Sequence, residues 1–294
     1  MATVAFVGLG AMGSRMAMNL HAAGHGLRVY NRDRLKTRPF ADKGIRVCES
    51  PAEAAEGAEF VCSIVADDGA TRDVMLGGQG ILSAAAKGAI VIDSSTNTPA
   101  MARECAAAAA EEGVHYLDAP VSGSLAQAQG RELVFLVGGD EAAFAKALPV
   151  MQAMGKLVRR IGGSGAGATL KLVNNMLSAS LTAAIAEAAS AAEAAGLDRD
   201  AVMEVLNEGA AGSRLMKTKL PKIFKRDFAP QFQLELMEKD LRYFLALATE
   251  LDRPAPIASL VRSQYLAAKR AGAARLDSCA VFLQAAGERP PGSG

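Results

Sequence analysis

The chain has 294 residues, half of them hydrophobic (50%), with 32 basic and 31 acidic side chains and a formal net charge of +1. That length and apolar content suit two globular domains with sizeable cores and exclude a disordered chain. Charge so balanced, and spread along the chain, leaves no basic face or tail for nucleic acid and turns attention to small-molecule chemistry. The four cysteines, Cys48, Cys62, Cys105 and Cys279, lie far apart with neither C-x-x-C pairing nor neighbouring histidines. They suggest neither a disulfide framework nor a zinc site, so no metal is expected, and they read as buried thiols of a reducing compartment. The N-terminus passes into the first strand without a charged leader or cleavage site, and no run approaches the roughly 18 apolar residues of a membrane span. A soluble, cytoplasmic protein with no membrane partner is expected.

The first predicted strand, 3–8, runs directly into Gly8-Leu9-Gly10-Ala11-Met12-Gly13, a G-x-G-x-x-G turn. A helix through Met16, Ala17 and Leu20 follows, then a second strand over 27–31, the βαβ setting in which this turn holds a pyrophosphate. Gly8 permits the tight turn, Gly10 lets the backbone approach the phosphates and Gly13 lets helix and strand pack closely, while the helix N-terminus turns free N–H groups toward the anion. At the end of the second strand, where an NAD site usually carries Asp or Glu, stand Asn31 and Arg32. Asn31 has no charge to repel a 2′-phosphate, and the Arg32 guanidinium suits bidentate hydrogen bonds to one. NADP(H) is therefore expected, with NAD(H) the less favoured alternative. Asp33 is left either to meet a 2′-hydroxyl or to pair with Arg34 or Lys36.

Further strands are predicted over 45–48, 60–65, 90–94, 115–118, 133–137 and 157–161, alternating with helical stretches. This pattern implies a mostly parallel sheet in an α/β, Rossmann-type domain. Gly162-Gly163-Ser164-Gly165 then marks the end of the dinucleotide-binding domain, 1–164. The Ala- and Leu-rich stretch 165–195 has no Pro and no Gly beyond Gly167, and predicts one helix of about 45 Å from 166 on, joining two domains. Gly196 stops it and Asp198 is the expected N-cap of the next helix. Residues 196–287 read as amphipathic helices broken at Pro221, Pro230, Pro254 and Pro256, an all-α domain for substrate binding and oligomerisation. Its small residues and the long connecting helix suggest packing against a second subunit, as a homodimer or homotetramer. The Pro/Gly-rich end, 288–294, is expected to be disordered.

Three groups carry candidate chemistry. Lys171, Asn174 and Asn175 share one helix face by their spacing, and two Asn inside an Ala/Leu-rich helix call for a reason. Lys171 is suited to give a proton to a carbonyl oxygen as hydride reaches its carbon. Asp118-Ala119-Pro120-Val121-Ser122-Gly123-Ser124 ends a strand at the carboxyl edge of the sheet, where Ser122, Gly123 and Ser124 offer hydroxyl and N–H donors to a substrate carboxylate. At the same edge Val65 and Ala66 are expected to border the adenosine, and Thr96 the nicotinamide ribose. Lys239-Asp240, after Phe232, passes by itself for a solvated charge pair.

In this order the motifs resemble the β-hydroxyacid dehydrogenase family, which includes 3-hydroxyisobutyrate dehydrogenases, tartronate semialdehyde reductases and glyoxylate/succinic semialdehyde reductases. Gly8 to Gly13 looks like the family's cofactor signature, Asp118 to Gly123 its substrate motif, Gly167-x-x-x-Lys171-x-x-Asn174-Asn175 its catalytic motif and Lys239-Asp240-Leu241 its C-terminal contact. The resemblance implies that Lys171 is the acid/base and that Asn175 orients and binds the substrate. It also implies that Asn174, Phe232 and Asp240 border the substrate and that Lys239 contacts the cofactor. Asn31-Arg32, residues 47–53 and Ser122-Gly123-Ser124 are similar to the glyoxylate/succinic semialdehyde reductase branch, which uses NADPH. The chain departs from the commoner family pattern at Ser124, Gln127 and Arg131-Glu132. Arg214 and Lys217 are candidates for a distal carboxylate, with a solvated face as the plainer reading. The expected activity is NADPH-dependent reduction of small aldehyde acids. An NAD-linked 3-hydroxyisobutyrate-type dehydrogenase is the enzymatic rival, and a non-catalytic NADP(H)-binding scaffold the rival from another class.

Overall fold

Alternate residues of the first strand, β1 (Thr3–Val7), serve two different cores: Val4 and Phe6 pack with Met16, Leu20 and Ile92, Ala5 and Val7 with Val61, Met75 and Val91. A strand covered on both faces needs apolar residues at every position, which is why 4–7 lacks the polar alternation of a half-exposed strand. The computed structural model describes residues 1–291, and they divide into two compact units, Met1–Lys171 and a second that begins at Leu172.

In the first unit β1 is followed by α1 (Gly13–Ala22), β2 (Gly26–Tyr30), α2 (Arg38–Ala41), β3 (Arg46–Val47), α3 (Pro51–Ala55), β4 (Phe60–Ser63) and α4 (Asp68–Leu76). Then come β5 (Ile90–Asp93), α5 (Pro99–Glu111), β6 (His115–Asp118), β7 (Val121–Ser122), α6 (Leu125–Gln129), β8 (Leu133–Gly138), α7 (Glu141–Gln152) and β9 (Gly155–Gly162). The sheet runs β3-β2-β1-β4-β5-β6-β8, with β7 and β9 also pairing with β8. Strands β1 to β6 are parallel, as the βαβ pattern requires; β8 is antiparallel to β6 and β7. The short β7 was not legible in the sequence: the chain turns at Ala119-Pro120 and continues beside β8, where Leu136 N–H donates to the Pro120 carbonyl at 3.0 Å.

Register aligns the strand ends that matter. Tyr30 pairs with Val7, Val7 with Ser63, Ser63 with Asp93, Asp93 with Asp118 and Asp118 with Gly138, one row across the sheet. Gly8, Asn31, Ile64, Ser94 and Ala119 each follow a member of this row. The sheet's carboxyl edge, the usual ligand edge of α/β folds, is therefore held level by backbone pairing alone.

Helix α8 (Ala166–Ala194) begins in the first unit and continues into the second. The division between the units by compactness thus falls inside this helix, after Lys171. The second unit continues with α9 (Arg199–Glu208), α10 (Arg214–Phe224), α11 (Leu234–Glu250), α12 (Pro256–Ala268) and α13 (Phe282–Ala285). Asp198 caps α9 as expected, accepting from Ala201 N–H at 2.9 Å. Pro256 opens α12 at the position where its missing N–H costs nothing. Pro221, by contrast, does not break a helix: α10 runs through it, because Leu220, Ile223 and Phe224 are buried on either side and their packing offsets one lost backbone bond. The expected disordered tail also needs correction at its start. Glu288 forms an ion pair with Arg226, which stacks over Phe282 at 4.4 Å, and its N–H donates to Leu283 O. Residues 292–294 of that tail lie outside the described residues. No described helix is long and apolar enough to cross a membrane.

Candidate active site

The glycine turn has the geometry that its three glycines demand. Gly8 has φ +96°, and a Cβ there would lie 2.2 Å from the Ile64 carbonyl oxygen; at Gly13 a Cβ would lie 2.0 Å from that of Gly8. Gly10 differs, since apart from its chain neighbours no described residue lies within 4 Å of where its Cβ would be. The first and third glycines are needed for packing, whereas the second opens onto space that a side chain would fill and a ligand can use. The helix behind the turn begins without a side-chain cap or an acidic residue in its first turn. Helices α3, α4, α5, α7, α9 and α10 begin on Ser, Thr or Asp caps. These features fit a dinucleotide pyrophosphate, held by backbone N–H groups at the positive end of a helix.

Asn31 is tied into the same turn: its Oδ1 accepts from Leu9 N–H at 2.8 Å and its Nδ2 donates to Asp33 O at 2.8 Å. Arg32 is exposed and makes no ion pair among the described residues. Of the roles left open for Asp33, pairing with Arg34 is not the one adopted. Its side chain accepts from Leu35 N–H at 3.1 Å, while Arg34 pairs with Glu49 and donates to Cys48 O at 2.7 Å.

The loops after β4 and β5 are braced by Asp93. Its carboxylate accepts from the hydroxyls of Ser63, Ser95 and Tyr116 and from Asn97 Nδ2, at 2.7–2.9 Å. Ser95 Oγ in turn accepts from Val65 N–H at 2.9 Å, which fixes the stretch Val65-Ala66 beside Thr96. Burial, with the Asp93 charge beside it, drives the Tyr116 hydroxyl well above its ordinary pKa, so it acts as a permanent donor. Asp67 and Asp68 are structural, the first capping α4 and the second accepting from Thr98 N–H and Oγ. All four cysteines are buried, and burial pushes the thiols of Cys62 and Cys105 up to about 12, as inert thiols should be.

At the end of β6 the substrate motif divides into parts with different tasks. Asp118 turns inward and accepts from the N–H groups of Gly165 and Ala168, at the start of α8. Ser124 and Gln127, two of the departures from the family pattern, are one device: the Gln127 side-chain carbonyl accepts from both the N–H and the hydroxyl of Ser124, holding the start of α6. Ser124 thus spends its donors locally. The half-buried Ser122 and the left-handed Gly123 (φ +134°) remain at the edge.

Lys171, the last residue of the first unit, is only 8% exposed, rare for a lysine. In the second unit Asn174, Asn175, Lys239 and Asp240 come together, although Lys239 lies 64 positions after Asn175 in the chain. Asn174 Nδ2 donates to Asn175 Oδ1 at 3.0 Å, and Asn175 Nδ2 donates to Asp240 Oδ2 at 2.6 Å. The Lys239 ammonium lies 3.2 Å from Asp240 Oδ1, off hydrogen-bonding geometry, and 4.9 Å from the centre of the Tyr243 ring. Lys239-Asp240 is therefore no solvated pair: both residues are buried. Phe232 belongs to another group, packed on the helical core with its N–H on Asp277 Oδ2 at 3.2 Å. Arg214 and Lys217 are exposed, and Lys217 pairs with Glu208.

Sequence reasoning missed Asp93 and the inward task of Asp118. The sole signal for either was an acidic residue at the end of a strand.

Known proteins resemble this chain along almost its whole length. Residues 3–163 match the NAD-binding domain of 6-phosphogluconate dehydrogenase, and residues 165–283 the NAD-binding domain of NADP-dependent 3-hydroxyisobutyrate dehydrogenase. The chain is 36% identical to 3-sulfolactaldehyde reductase of Escherichia coli, over 97% of this chain and 96% of that one. It is 34% identical to glyoxylate/succinic semialdehyde reductase 2 of Arabidopsis thaliana, over 98% of this chain and 81% of that one. Among solved structures, 3-hydroxyisobutyrate dehydrogenase of Mycobacterium tuberculosis with L-serine superposes with a TM-score of 0.88 at 34% identity, covering 97% of this chain and 99% of that one. This chain belongs to the β-hydroxyacid dehydrogenase family, NAD(P)-dependent oxidoreductases that act on the hydroxyl groups of hydroxyacids.

Proposed function

We propose that the protein reduces small aldehydes bearing an acid group to the corresponding hydroxyacids, with NADPH as the reductant and Lys171 as the general acid. The observation that carries this reading is the burial of the Lys171 ammonium on the helix that also bears Asn174 and Asn175. A lysine kept from bulk water is held in place to deliver a proton to a developing alkoxide. When bound, the reduced nicotinamide supplies hydride to the carbonyl carbon. Lys171 Nζ gives the oxygen its proton, completing the alcohol, and recovers it from solvent; oxidation runs the same transfers backward. Asn175, tethered to Asp240, orients the carbonyl, and Asn174 steadies Asn175. Ser122 and the N–H groups about Gly123 receive the acid group. Gly8 to Gly13 hold the pyrophosphate, Val65, Ala66 and Thr96 border the nucleosides, and Lys239 adds positive charge.

Support for NADPH comes from the end of β2: Asn31 is neutral and bound to the turn, the Asp33 carboxylate accepts from Leu35 N–H, and Arg32 is exposed and available to a phosphate. Aldehyde acids are favoured because two relatives are named for reducing an aldehyde that carries an acid group. Val173, Leu177 and Leu181, exposed at i, i+4 and i+8 on α8, support a homo-oligomer. The test is loss of the near-ultraviolet absorbance of NADPH, and separately of NADH, against glyoxylate, succinic semialdehyde and 3-sulfolactaldehyde, with 3-hydroxyisobutyrate and NAD(P)+ for the reverse direction. We expect NADPH oxidation with at least one aldehyde acid and little with NADH. No turnover in either direction, in protein that binds NADPH, would reject the reading in favour of a non-catalytic scaffold.

A further inference from the structure

We infer that Asp118 is a positioning residue that sets the place of Lys171, by clamping the first turns of α8 to the carboxyl end of β6. The inference rests on the reading of Lys171 as the general acid. Its two carboxylate oxygens are divided between two backbone donors, Oδ1 taking Gly165 N–H at 2.8 Å and Oδ2 taking Ala168 N–H at 2.9 Å. One donor precedes the helix and the other lies in its first turn, so the carboxylate fixes both the height and the rotation of the helix start. Lys171 follows Ala168 by three residues, about 4.5 Å along the axis. The surroundings leave little slack. A Cβ on Gly167 would lie 2.2 Å from Leu136 O and 2.5 Å from Asp118 O, so the helix is seated directly on strand backbone. A Cβ on Gly138 would lie 2.5 Å from Asp118 Oδ1, so the carboxylate occupies the room that this glycine leaves. Through the strand register, the level edge of the sheet is transmitted to the lysine.

The clamp is strongest when Asp118 is ionised, because a carboxylate accepts at both oxygens whereas a carboxylic acid keeps only one oxygen free of its own proton. Burial is the main reason that Asp118 is pushed up to about 6; the two backbone donors oppose it and the neighbouring Asp93 charge adds to it. Around it, β5 brings Asp93, β6 itself Tyr116, β8 the uncharged Gly138, and α5 packs Arg103 beside Gly165. Acidification through about 6 should therefore loosen the clamp.

The experiment measures kcat, KM and NADPH binding for Asp118→Asn and Asp118→Ala beside Lys171→Ala, with kcat followed from acid to neutral pH. We expect kcat to fall by about tenfold to 10²-fold in Asp118→Ala, the scale of a small misplacement of a catalytic group. NADPH binding should stay within about twofold, since the glycine turn is untouched. Asp118→Asn should fall between Asp118→Ala and the parent. The parent's kcat should decline as pH drops through about 6, and Asp118→Asn should lose that decline. Parental kcat in either folded variant overturns the inference, as does loss of NADPH binding in both, which would make Asp118 a general prop of the fold. If Lys171→Ala itself keeps its turnover, the failure belongs to the reading of Lys171.

Discussion

The two units build polar sites by different means. In the first, the cofactor turn is made of backbone atoms, the glycine turn and the uncapped start of α1, and Asp118 satisfies the backbone N–H groups of Gly165 and Ala168. In the second, buried side chains carry the polarity. Lys219 and Asp277 pair at 2.6 Å with side chains 8% and 0% exposed, the buried Glu238 accepts from Arg262 and Lys269, and Asn175 is tied to Asp240. A backbone site needs residues that stay out of the way, whereas a side-chain site needs each charge matched by another. Substitutions should therefore hurt differently. At Arg32 and Lys171 of the first unit they should alter binding or chemistry while the fold survives; in the second, removal of one buried partner should threaten the fold itself.

The largest expected effect is on stability. Asp277→Ala should lower it by about 3–5 kcal/mol, because Lys219 stays buried with its charge unmatched and the N–H groups of Gln231 and Phe232 lose their acceptor. Thermal or urea unfolding measures this, and a change below about 1 kcal/mol, the range of exposed pairs, would break the contrast between the units. Burial works to raise the Asp277 pKa, but the Lys219 charge and the hydrogen bonds outweigh it and hold the carboxyl below its usual range. A depressed folded pKa contributes stability above the ordinary carboxylate range and loses it on acidification, so the parent but not Asp277→Ala should lose this contribution at low pH.

Next in size is Lys171→Ala, for which kcat should fall by about 10² or more, the scale of lost acid catalysis, while NADPH binding and the unfolding transition stay nearly as in the parent. Equal turnover would remove Lys171 from the chemistry. The smallest effect sharpens the comparison within the first unit. Arg32→Ala should raise the KM for NADPH by about tenfold, the loss of one or two charge-assisted hydrogen bonds, and leave that for NADH almost unchanged. An equal rise for both cofactors would show that Arg32 does not read the 2′-phosphate.

Much of this molecule was legible before its structure. The Rossmann-type half was, because βαβ alternation and the spacing of Gly8, Gly10 and Gly13 are local patterns that the backbone must obey. The single long helix and its successor's Asp198 cap were also local, and came out as expected. What failed in the sequence failed for one reason. Pro221 signalled a helix end by its own chemistry, but buried Leu220, Ile223 and Phe224 outweighed that signal.

By itself, then, the sequence determined the fold class, the cofactor turn and the candidacy of Lys171, Asn174 and Asn175, since each is written in residues near one another along the chain. Tertiary structure alone decided that Asp240 holds Asn175 across 65 positions, that Asp93 braces the loops of two strands, and that Asp118 faces the helix start 47 and 50 residues ahead of it. The physical reason is that hydrogen bonds and ion pairs form between whatever groups packing brings within about 3 Å, and separation along the chain leaves no periodic trace of that meeting.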